Sequence, residues 1–294
     1  MSLRVVEVGG VATVQDLGRP GHAHHGVPPG GAADTLSLRV MNRAVGNHDN
    51  AAVIELAMGS IELEADERCV VVASGGEHAF EAINLASGER LVLGPGKGVC
   101  RTYIAVAGGI DVPMVLGSRS TLRSAGCGGY EGRQLEAGDV LPVGGDAGRA
   151  ADVPAHVRAM VEFAVRRRVL RVVTDGAEAE LPAGLLRASA NSDRVGVRLE
   201  RVGGGRAIDS GPSRGVLHGT IQAPSSGELV VLGSDGPTTG GYATVGTVIA
   251  ADLPALGQLL PGQWVRLEVI DRQLASGLLA LQHSTLDLAT SPVE

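Results

Sequence analysis

Short runs of Val, Ile and Leu, separated by turns that contain glycine, recur along almost the whole chain, at residues 3–8, 52–56, 69–73, 91–93, 103–106, 229–232 and 264–270. Runs of this length between Gly-rich turns are the pattern of strands, and their recurrence predicts a mainly β fold, a barrel or a sandwich. Composition constrains what fills it. Glycine supplies 44 of the 294 residues, whereas Phe, Tyr and Trp number two, three and one, so the core must be made of Val, Leu, Ile and Ala. Hydrophobic residues at 44% and charged residues at 19% exclude a disordered chain and a membrane-spanning one. A net charge of -7, from 32 acidic and 25 basic residues, argues against a nucleic-acid partner. Met1-Ser2-Leu3-Arg4 runs straight into strand-like sequence with no apolar leader. Cys69, Cys100 and Cys127 are too few and too scattered for a disulfide framework or a zinc site. The expectation is a cytoplasmic protein that neither binds a metal nor enters a membrane.

The clearest early helix is residues 33–45, where Leu36, Val40, Met41 and Ala44 share one face and Gly46-Asn47 supplies the stop; it is expected to cover a barrel end. Residues 147–168, with Pro154 and the run Arg166-Arg167-Arg168, change character and read as a helical connector. This places an N-terminal domain at 1–149, the connector at 150–168 and a C-terminal domain at 169–294. An internal echo supports two copies of one design. Residues 104–117 resemble 248–257, aligning Asp111 with Asp252, and Gly138-Asp139-Val140-Leu141 resembles Gly262-Gln263-Trp264-Val265. The first copy then carries an insertion at 118–134, rich in Gly, Ser and Arg, and inserted loops on a repeated scaffold are where function tends to sit.

Four polar segments carry the candidate chemistry. Residues 14–34 concentrate Asp16, Arg19, His22, His24, His25 and Asp34 in a loop fixed by Gly and Pro. His22 and His24 lack a third ligand at metal spacing, and Asp16 with Arg19 has the alternative of an ion pair that pins the turn. Gly117-Ser118-Arg119-Ser120-Thr121 stacks hydroxyls, backbone amides and a guanidinium, which suits a carboxylate, bicarbonate or phosphate; the alternatives are a solvated turn and a pairing of Arg119 with an internal carboxylate. Asn191-Ser192-Asp193-Arg194 has turn composition. The fourth segment sets Gln222 near Asp235, Thr238, Thr239 and Tyr242 through the paired glycines Gly240-Gly241, which let backbone approach a ligand closely. Gly94-Pro95-Gly96-Lys97-Gly98 lacks the spacing and hydroxyl of a P-loop, and no G-x-S-x-G elbow occurs.

Together these segments resemble the family that unites allophanate hydrolase subunit 2, the C-type subunits of 5-oxoprolinases and biotin-dependent carboxyltransferase domains. The resemblance runs from Val14-Gln15-Asp16-Leu17-Gly18-Arg19-Pro20-Gly21 through Asn42-Arg43-x-Val45-Gly46-Asn47, Ala105-Val106-Ala107-Gly108-Gly109-Ile110 and Ser192-Asp193-Arg194 to Gly219-x-Ile221-Gln222 and Thr238-Thr239-Gly240-Gly241-Tyr242. It departs from the family at His22, Arg214 and Gly236-Pro237, and Thr174-Asp175-Gly176-Ala177 stands where the second half normally opens. The resemblance implies two tandem cyclophilin-like β-barrels and a partner, a subunit-1 homologue of the kind found in allophanate hydrolase or as the B-type component of 5-oxoprolinases. It implies a small amide or lactam substrate, and ATP used by the assembled complex to open 5-oxoproline to glutamate. Arg119 with Ser118 and Ser120 would then face a developing oxyanion, with Arg19 beside them. Gln222, Thr238 and Thr239 would orient the amide, and Asp16 or His24 would handle the proton, with Tyr242 a further candidate. Two alternatives stay open. One is the carboxyltransferase component of a biotin-dependent urea or amide carboxylase, with biotin on a separate carrier because Lys97, the sole lysine, has no Met-Lys-Met context. The other is a non-catalytic regulator resembling the antagonist of a sporulation kinase inhibitor.

Overall fold

The computed structural model describes residues 1–77, 79–145, 150–176, 181–203 and 211–290. Within it the chain divides into two units, Met1–Arg19 with Gly30–Glu162 and Pro20–Pro29 with Phe163–Glu294.

The first unit contains β1 (Ser2–Val8), β2 (Val11–Gln15), β3 (Val53–Ala57), β4 (Ile61–Ala65), β5 (Cys69–Ala73), β6 (Ala82–Leu85), β7 (Arg90–Leu93), β8 (Arg101–Val106) and β9 (Val140–Pro142). Strict alternation makes β4 single-sided. Ile61, Leu63 and Ala65 are buried, while Glu62 and Glu64 on the other face meet Arg90 of β7 at 3.1 and 2.8 Å. By contrast β8 is buried at every position, because Ile104 and Val106 enter the core while Tyr103 and Ala105 lie on the opposite face.

Where the resemblance implies a barrel in this half and the strand pattern allows a barrel or a sandwich, the described strands form two antiparallel sheets, β7-β4-β1-β9 and β2-β3-β8-β5-β6, that share one core. Two of the places where the chain changes sheet are glycine corners, between β1 and β2 and between β3 and β4. A Cβ on Gly59 would lie 2.6 Å from the Gly10 Cα, so only glycine lets these corners touch. Helix α1 (Thr35–Ala44) starts at Asp34, whose carboxylate accepts from the Ser37 N–H at 2.9 Å, and stops before Gly46 at φ 76°. It packs against β8 and β5 rather than across a barrel end. Sheet alternation leaves Val72, Tyr103 and Ala105 to be covered on that face. Helix α2 (Ala155–Val165) follows.

The second unit contains β10 (Val169–Val173), β11 (Leu186–Ala188), β12 (Gly196–Arg201), β13 (Arg214–Gly215), β14 (Thr220–Ala223), β15 (Leu229–Leu232), β16 (Thr239–Gly240), β17 (Ala243–Val248) and β18 (Trp264–Val269). Seven of them close a barrel in the order β10-β17-β14-β15-β12-β11-β18, filled by Leu170, Val172, Leu199, Ile221, Val231 and Val245 among others. One pairing, β10 with β18, is parallel. The strands β13 and β16 form a separate two-stranded ribbon. Helices α3 (Leu253–Gly257) and α4 (Arg272–Thr290) complete the unit. Among the described residues no helix is long and apolar enough to cross a membrane.

The sequence echo carries through to local structure only in part: Gly138 and Gly262, at φ 98° and 82°, both close turns that lead into a strand, β9 and β18, whereas the two aspartates stand in different settings. Asp252 precedes α3 and is buried, accepting from the Arg171 N–H and Nε at 2.8 and 2.9 Å. Asp111 lies in an exposed loop without a helix.

Candidate functional site

In the first unit, Asp16 directly follows β2 and is buried beside the loop that follows β8. One carboxylate oxygen accepts from the Gly18 N–H at 2.8 Å and the Ser118 hydroxyl at 2.6 Å, and the other from the Arg119 N–H at 2.6 Å. The Ser118 and Ser120 hydroxyls lie 2.8 Å apart, and the Ser120 N–H donates to Ser118 Oγ at 2.9 Å. The structure brings together Asp16, Ser118 and Ser120 in a web in which Asp16 is the acceptor. Three donors on one carboxylate make it a clasp between two distant segments.

The two arginines go elsewhere. Arg119 donates from Nε to the Val112 carbonyl at 2.8 Å and from Nη2 to Asp111 at 2.6 Å, so its guanidinium is paired, but with an exposed carboxylate rather than an internal one. Arg19 is fully buried and does not pair with Asp16. Its Nε reaches the Val115 carbonyl at 3.4 Å, Nη2 donates to the Ser120 carbonyl, and Nη1 has no partner. Next to these residues the 118–134 loop forms a cavity of about 430 Å³, lined by Val112, Val115, Cys127, Gly128 and Tyr130 among others.

His24 belongs to the Pro20–Pro29 segment of the second unit, in a single 3-10 turn, where its exposed ring stacks on His25 at 3.8 Å between centroids. In that unit Gln222 sits on β14 directly opposite Thr244 of β17. Gln222 is buried. Its Nε2 has no partner, nor has the buried Thr244 Oγ1. Gly240 of β16 presses on that carboxamide, for a Cβ there would stand 2.3 Å from Nε2. The Thr238 carbonyl accepts from the Val216 N–H at 3.0 Å, while Thr239 and Tyr242 are exposed. The sequence thus places Gln222, Thr238, Thr239 and Tyr242 in one neighbourhood of β14, β16 and β17.

Two further residues escape a reading of motifs. Thr244 gains meaning only from its register opposite Gln222. His218 lies one residue before Gly219, and burial, followed by the charge of Arg194, pushes its imidazole down to about 4. Arg194 in turn forks onto Asp235 at 2.7 and 2.9 Å and reaches Ser234 Oγ at 2.9 Å. The string Ser192-Asp193-Arg194 of the sequence is split, because Asp193 turns back to its own loop, accepting from the Val195 and Gly196 N–H groups at 2.8 and 3.1 Å.

Comparison with known proteins gives this geometry a family. The chain is 34% identical over 277 residues to the C-type subunit of the 5-oxoprolinase of Escherichia coli K12, covering 89% of each chain. It is 31% identical to the urea amidolyase of Lachancea kluyveri, covering 97% of this chain and 18% of that one. The structure of the Kluyveromyces lactis urea carboxylase matches with a TM-score of 0.85 at 27% identity, over 98% of this chain and 29% of that one. The chain thus spans nearly all of its bacterial relative and under a third of the two yeast proteins. Residues 25–269 match the model of the carboxyltransferase domain, subdomains A and B, and the chain belongs to that family.

Proposed function

We propose that the chain is a subunit of a bacterial ATP-dependent 5-oxoprolinase, which opens the lactam of 5-oxoproline to glutamate. The observation that carries this reading is the coextensive match, 89% against 89%, to a relative that is itself one subunit of such an enzyme. Its partner in this reading is a subunit-1 homologue, of the allophanate hydrolase kind or the B-type component of a 5-oxoprolinase, and ATP is used by the assembly. Gln222, with Thr238 just before β16 and Thr239 on it, holds the substrate amide. Asp16 positions the 118–120 loop, since its oxygens are already taken by Gly18, Ser118 and Arg119. His24 and Tyr242 are exposed, and are the groups left to carry a proton.

A carboxyltransferase reaction on urea or a related amide is the second reading, favoured by the description of the matching family model and by the fit to urea carboxylase. It would draw biotin from a separate carrier. One experiment tests both. The chain is co-expressed with the partner and remaining subunits, and the assembly is assayed for ATP hydrolysis and glutamate release dependent on 5-oxoproline. Turnover by the assembly and none by the chain alone is expected. An assembly that forms but turns over only urea, with carboxybiotin supplied, would replace the first reading by the second.

A further inference from the structure

Buried polar groups without partners are rare in native proteins, and each calls for an explanation. Here two of them, Gln222 Nε2 and Thr244 Oγ1, stand on residues directly opposite each other on neighbouring strands. The β14–β17 register is irregular between Ile221 and Gln222, an interruption of the kind that re-aims a side chain near a site. Above Gln222 lies Gly240, on a ribbon held by only two residue pairs, Arg214 with Gly240 and Gly215 with Thr239. Two flanking backbone bonds extend it, Val216 N–H to the Thr238 carbonyl at 3.0 Å and Gly211 N–H to the Gly241 carbonyl at 2.9 Å. A two-stranded ribbon this short is marginal on its own.

We propose that Gln222 and Thr244 form a recognition pair for a cis amide, exposed when the β13–β16 ribbon lifts. The chemistry is complementary. In a lactam or a urea the carbonyl oxygen and an N–H lie on one edge of the molecule, whereas in an extended secondary amide they point opposite ways. The Gln222 Nε2 donates to the carbonyl, and Thr244 Oγ1 accepts from the N–H. Directly opposed strand residues have Cα atoms about 4.5–5.5 Å apart, a spacing over which two side chains can hold one small planar group. This rests on the proposed function for the identity of the natural substrate and adds to it a second residue, a required edge and an entry route.

The test uses the full chain and two small lactams, 2-pyrrolidone and its N-methyl derivative, with affinities read by ligand-observed NMR titration. The unaltered chain should prefer 2-pyrrolidone at least tenfold. Thr244→Val, which removes the acceptor and keeps the shape, should cut that preference below twofold. Gln222→Leu should lose binding of both lactams, whereas Gly240→Ala, whose methyl group collides with the carboxamide in the closed ribbon, should favour the lifted ribbon and tighten binding of both. Melting temperature separates binding from structure. Gln222→Leu and Thr244→Val should melt no lower than the unaltered chain, since each removes an unsatisfied group. Equal binding of the two lactams, no binding of 2-pyrrolidone, or unchanged binding by Gln222→Leu overturns the inference, and should Gln222→Leu not fold, the Thr244 and Gly240 variants decide it. An assembly that turns over 5-oxoproline without this selectivity overturns the inference alone. Selective lactam binding in an assembly with no 5-oxoproline turnover overturns the proposed function alone.

Discussion

Asp16 and Arg119 lie side by side in the web, yet their side chains should matter very differently for stability. Removing the Asp16 carboxylate strands the Ser118 hydroxyl and the Gly18 and Arg119 N–H groups, with Asp16 and Ser118 both buried. Each orphaned buried group costs roughly 1–3 kcal/mol, so Asp16→Ala should destabilise by about 3 kcal/mol, seen as a lower urea midpoint with an unchanged slope. The Arg119 side chain instead meets an Asp111 that is 57% exposed, and losing such a surface pair costs under about 1 kcal/mol. A sequence alone shows an aspartate and an arginine in adjacent motifs but not which of them is enclosed. His218 offers a test by pH. Its folded value, about 4, lies below the ordinary 6.5, so the unfolded chain binds more protons between these values and stability must rise with pH across that window. The full contribution, about 3 kcal/mol, is present above pH 6.5 and lost as pH falls toward 4. Denaturation midpoints measured from about pH 4 to 7 should show this slope, and His218→Gln should flatten it.

At the scale of elements, the strands most readable in sequence are those bounded by turn residues on both sides. Residues 69–73 and 229–232 are β5 and β15 to the residue. The helix expected over 33–45 is α1 at Thr35–Ala44, trimmed at its start because Asp34 is its cap and not its first turn. Asp34→Ala should therefore cost about 1 kcal/mol of stability, with α1 amides showing the largest loss of hydrogen-exchange protection. The family-like string Asn42-Arg43-x-Val45-Gly46-Asn47 also has a structural account. Asn42 Nδ2 donates to the Ala51 carbonyl at 2.8 Å, Arg43 pairs with Asp49 at 2.6 Å, and Asn47 bonds the Val106 carbonyl and Gly108 N–H at 2.9 and 2.8 Å. The ribbon strands β13 and β16 are beyond reach of any periodicity argument, since two residues carry no period.

For the molecule as a whole, mainly β architecture follows from the recurrence of short apolar runs between turns, but the difference between a closed barrel and two facing sheets does not. Both use strands of the same length and alternation, and the choice depends on which strand edges meet, a long-range fact. The same holds for the site. Gln222 stands out by its setting among glycines, whereas Thr244 becomes visible only once β14 and β17 are in register. The division into units has a consequence for how the protein is made. Pro20–Pro29 belongs with the second unit although it leaves the ribosome well before the rest of that unit, which begins only at Phe163. At synthesis rates of about 5–20 residues per second, this decapeptide waits from roughly ten seconds to a minute for its surroundings to be translated. Through that interval the nascent chain must keep a ten-residue loop out of other contacts, and its composition of glycine, proline and histidine suits a segment that has little tendency to fold before its host arrives.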